Sequence, residues 1–84
     1  MTQESIDQDL DDDPQYRAAV IDLLAVLAVS ELTAFERMAA DSVLAPTFAD
    51  KASIGELATA EFRHFMALRN RLVELGADPE MAME

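Results

Sequence analysis

Residues 18–35 read AAVIDLLAVLAVSELTAF. Placed at 100° per residue around a helix, Val20, Leu24, Leu27, Phe35 and the nearby Met38 cluster around one direction, and Glu31 falls among them. Val26 and Val29 lie on the opposite side, so the segment is apolar nearly all round. A helix of that kind is normally buried on all sides. Its apolar run AAVIDLLAVLAV is shorter than the roughly 20 residues that cross a bilayer and contains Asp22, which assigns it to a protein core.

Upstream, DDDPQYR supplies a helix start: Asp13 as N-cap, Pro14 at the first helical position, and acidic charge at the positive end of the helix dipole. The periodicity predicts a first helix from about Pro14 to Ala40. Downstream, DSVLAPTFAD breaks the pattern, because Pro46 forces Ala45 out of helical geometry. Thr47 with Asp50 three residues later resembles a capping box, and a second helix is predicted from about Phe48 to Leu75. Gly76 is suited to the C′ position and Pro79 to a stop just beyond it. Gly55 inside this helix costs up to about 1 kcal/mol relative to Ala. The short connection makes the two helices antiparallel neighbours.

The chain as a whole is small and acidic. It has 84 residues, no Cys, two Gly, 51% hydrophobic residues and a formal net charge of −11. These values describe one all-α domain without disulfides, and they oppose binding to nucleic acid phosphates or anionic membranes. Residues 1–13 are acidic and aperiodic and are expected to form a disordered tail; residues 77–84 are expected to fray. The acidic N-terminus is unlike a secretory signal, and the expected location is the cytoplasm. Two helices bury only one stripe each, so more helices must cover this hairpin, from a second copy or from further sequence.

On the second helix, Ile54, Leu57, Phe65, Leu68 and Leu72 form the apolar stripe, with Glu61 at its centre and His64 on its flank. Each helix therefore places a carboxylate within its own core stripe. An isolated buried carboxylate must be neutralised, paired or bound to a metal. Counted from the turn, Glu31 and Glu61 lie at similar depths, roughly 15–20 Å at 1.5 Å per residue. The i, i+3 spacing lets Glu61 and His64 reach one ion from successive turns. Carboxylate-bridged iron or manganese centres in helix bundles use one Glu from each of two helices and Glu-x-x-His from each of the other two. Glu31, Glu61 and His64 make half of such a set. Glu-x-x-His alone is a weak motif, and a stripe-edge His is commonly structural. Arg17, Arg69 and Arg71 are the alternative partners for the carboxylates, although Arg17 is several turns from Glu31 and neither of the others points along the Glu61 direction. No glycine-rich phosphate loop, Cys nucleophile or Ser-His-Asp arrangement is present in the sequence.

Residues 13–52, DPQYRAAVIDLLAVLAVSELTAFERMAADSVLAPTFADKA, and 60–79, AEFRHFMALRNRLVELGADP, resemble the N-terminal half of an actinobacterial ferritin-like family grouped with the tRNA hydroxylase MiaE, a di-iron monooxygenase. The resemblance implies a ferritin-like four-helix core with metal ligands at Glu31, Glu61 and His64. Members of that family continue past the point where this chain stops, and their second helix pair supplies the remaining ligands. Here those ligands are expected from a missing helix pair or, in a homodimer, from a second copy. The function expected is binding of iron or manganese, with any chemistry an oxygen- or peroxide-dependent oxidation by a di-iron oxidoreductase. The rival expectation is a metal-free helical interaction module or an inactive truncated relative.

Overall fold

The computed structural model describes residues 2–84, and among them the regular structure is all helical: α1 (Gln3–Asp12), α2 (Pro14–Leu44), α3 (Phe48–Glu74) and α4 (Pro79–Ala82). The long helices are fixed at their ends by local chemistry. The Asp13 carboxylate accepts from the N–H groups of Gln15 and Tyr16, and the Thr47 hydroxyl accepts from Asp50 N–H. At the end of α3, Ala77 N–H donates to Leu72 C=O and Gly76 N–H to Val73 C=O, with Gly76 at φ +80. This is a Schellman closure, in which glycine takes the left-handed position without strain. α2 runs four residues beyond the expected Ala40. Lys51 Nζ donates to the carbonyls of Ser42 and Val43, placing a cation on the negative end of the longer helix.

α2 and α3 pack side by side and antiparallel. Lys51 meets Ser42 near the turn, Phe62 meets Phe35 further along, His64 faces Glu31, and Gly76 lies against Arg17 at the far end. The buried apolar residues are Leu10, Ala25, Ala28, Ala58, Leu72 and Leu75. Small residues at a helix contact allow close approach but bury little area. The predicted stripes are therefore only partly covered. Leu57 is 59% exposed and Leu27 43%, whereas their period places both among core residues. The molecule measures 53 × 28 × 14 Å, one helix thick. Its radius of gyration is 16.2 Å, against about 12 Å for a compact chain of this length.

Three sequence expectations need correction. Residues 3–12 form a helix where a disordered tail is expected; Met1 lies outside the described residues. Thr2 caps this helix, Leu10 is 1% exposed, Arg71 bonds Asp7, and Arg17 approaches Asp11 at 3.9 Å. Composition misses the tie to Arg71 because that residue lies 64 positions from Asp7 in the sequence. Residues 79–82 likewise form one helical turn, capped by Asp78, instead of fraying. Finally, α2 is longer than its central apolar run. It contains an 18-residue window that satisfies the length and composition of a membrane span and is 11% buried.

Acid will release α1. The hydrogen bond from Arg71, then that from Gln3, holds the Asp7 carboxyl below its ordinary pKa. A depressed carboxyl pKa contributes stability that is fully present above about pH 4, and this is lost as pH falls through the folded value. Hydrogen exchange of residues 3–12 should therefore accelerate on acidification beyond the intrinsic pH dependence of exchange. Asp7→Asn should exchange fast even at pH 7; unchanged protection in that variant would remove the ion pair as the cause. A second expectation concerns Gly55, where an added Cβ would meet nothing within 4 Å. Gly55→Ala should stabilise the fold by about 0.5–1 kcal/mol in urea unfolding.

Candidate metal centre

Glu31 projects from the middle of α2, and Glu61 and His64 from successive turns of α3. The three-residue turn at 45–47 sets the register that brings them together. One donor atom from each lies within 4.8 Å of the others. Ligands about 2.0–2.2 Å from one ion lie roughly 3–4.4 Å from each other, so small side-chain rotations bring this trio within coordinating range. His64 Nδ1 stands 3.7 Å from Glu31 Oε2, too far for a hydrogen bond. Glu31 Oε2 is buried and has no hydrogen-bond partner. A buried carboxylate oxygen left unmatched is unfavourable, and a cation at the centre of the trio would satisfy it.

Two of the three candidate arginines are engaged elsewhere, and among the described residues the ion-pair partner of Glu31 is His64. Arg71 is engaged by Asp7 and Glu74, and Arg17 lies beside Asp11. Two carboxylates and an imidazole lone pair thus converge with no protein cation between the carboxylates. At this spacing, like-charge repulsion amounts to roughly 1–3 kcal/mol, depending on solvent screening. One flank is apolar: Phe35 and Phe62 rings are 5.0 Å apart, and Phe62 and Phe65 are 5.8 Å apart. The other flank is open, with the His64 side chain 62% exposed and that of Glu31 28%.

The structure thus gathers the three residues singled out from the sequence, at the half-buried margin of the seam instead of the centre of a core. Helical periodicity assigns Phe35 and Phe65 to the core stripes and gives the site no aromatic flank. The i, i+4 relation of Phe35 to Glu31, and the adjacency of Phe62 and Phe65 to Glu61 and His64, are the signals that could have shown it.

A family model described as "Ferritin-like domain, actinomycetes" matches residues 14–84, and the chain belongs to that family. No curated protein and no solved structure gives a significant match.

A site poised for a cation should be under strain without one. With chelator present, Glu31→Gln should therefore melt higher, by about 1 kcal/mol, or roughly 4–8 °C for a domain of this size. A comparable fall would mean that Glu31 is held by structural partners.

Proposed function

We propose that this chain carries one half of a ferritin-like carboxylate metal centre that binds iron or manganese through Glu31, Glu61 and His64. The unsatisfied, buried Glu31 Oε2 beside two further donors from the facing helix is the observation that carries this reading. The donor chemistry fits. Carboxylates and one imidazole suit iron or manganese, and two negative charges from one chain offset much of a divalent ion's charge. Glu31 from α2 and Glu61 with His64 from α3 would hold the ion. The rings of Phe35, Phe62 and Phe65 give one side of the seam an apolar character.

When bound, a two-metal carboxylate centre supplies oxygen- or peroxide-dependent oxidation, with hydroxylation the form implied by the resemblance to the tRNA hydroxylases. The second reading is a metal-free helical interaction module. It draws on exposed apolar side chains remote from the trio, among them Val26, Val43 and Leu44.

Melting with and without added metal separates the two. Anaerobic Fe(II), or Mn(II), at about 100 times its dissociation constant should stabilise the wild type by about 2.7 kcal/mol. Glu61→Ala should show no such gain. A wild-type melting temperature indifferent to both metals leaves the interaction module as the surviving reading.

A further inference from the structure

The open flank has a definite extent. Leu27 lies one turn before Glu31, Leu57 one turn before Glu61, and Leu23 one turn before Leu27. These leucines are 43%, 59% and 58% exposed, and the His64 side chain facing Glu31 is 62% exposed. The chain's accessible surface is 5997 Å², whereas a compact monomer of its mass exposes about 4,900 Å². The excess, on the order of 1,000 Å², matches what one partner contributes to a stable interface, about 800 Å².

We infer that this flank is an interface between two copies of the chain, related by a two-fold axis, in which both sets of Glu31, Glu61 and His64 line one centre. The inference rests on the metal reading and names the partner that completes the site. A two-fold interface presents each residue twice. The pair supplies four carboxylates and two imidazoles, the composition of a two-metal helix-bundle centre and twice what Glu31, Glu61 and His64 bring. A lipid surface fits less well, because two carboxylates and a histidine within the apolar patch would be costly in hydrocarbon. Charge then dictates how assembly is controlled. Each copy carries a formal net charge of −11, and the interface brings four carboxylates together, so divalent ions at the centre are needed to offset the repulsion. Metal binding and pairing are thereby coupled, and each strengthens the other by the same factor.

Sedimentation equilibrium of the wild type in chelator and in Mn(II), with Mn(II) affinity measured in parallel by calorimetry, tests this. Mn(II) should lower the dimer dissociation constant by about tenfold or more, within the usual range of coupling, at one ion per chain. The double variant Leu27→Asn, Leu57→Asn changes side chains already exposed, so it should keep its helical circular dichroism. It should remain a monomer and bind Mn(II) at least about tenfold more weakly. If that variant unfolds, the wild-type mass and titration still decide the matter. A wild type that binds Mn(II) while its mass stays that of a monomer overturns the dimer and leaves the metal reading standing. A wild type that binds no Mn(II) overturns both. Mn(II)-independent co-sedimentation with phosphatidylcholine vesicles, without self-association, assigns the flank to lipid and also overturns the dimer.

Discussion

The long helices α2 and α3 touch along a narrow seam, and half of the six buried apolar residues among those described are alanines. Alanine permits close approach without penalty, but it removes little apolar surface from water. A seam of this kind holds two helices together while leaving most of each helix's circumference uncovered. The other features follow from it. The molecule stays one helix thick, α2 keeps apolar side chains facing outward in several directions, and the one carboxylate in each long helix's stripe sits at a margin where it is partly desolvated.

That margin matters because the register is tightly held. Asp13 and Thr47 fix where the helices begin, and Pro46 and the Gly76 closure fix where they end. One residue more or fewer in the connection would turn the following helix by about 100° relative to its neighbour. Glu61 and His64 would then no longer face Glu31. The capping residues lie far from the site and hold its geometry through the length of the elements they bound.

The sequence shows the two long helices, their caps and the convergence of the three donors, because all of these depend on local chemistry or on counting residues from one short turn. Depth is harder to read. A helical wheel locates the direction of a stripe, but not which portion a neighbour covers; here buried Ala28 and Ala58 take the contact, and Leu57, also in a stripe, stays exposed. The docking of α1 is harder still. Asp7 reads as one more acid in a charged tail until Arg71 is brought beside it by the return of α3. Family membership covers residues 14–84, so α1 lies outside the matched domain.

Lys51 gives the turn an unusual chemical signature. It is the only lysine in the sequence, and its ammonium group holds two carbonyls at the end of α2. Apart from the N-terminus, any acylating reagent or amine-directed modifying enzyme has one address on this chain. Acylation there removes the charge and leaves at most one of the three donors, so the last turn of α2 loses its tether when the amine is capped. The rate of acylation thus reports how often that helix end opens, which makes the lysine a built-in probe of the connection that sets the register of the whole layer.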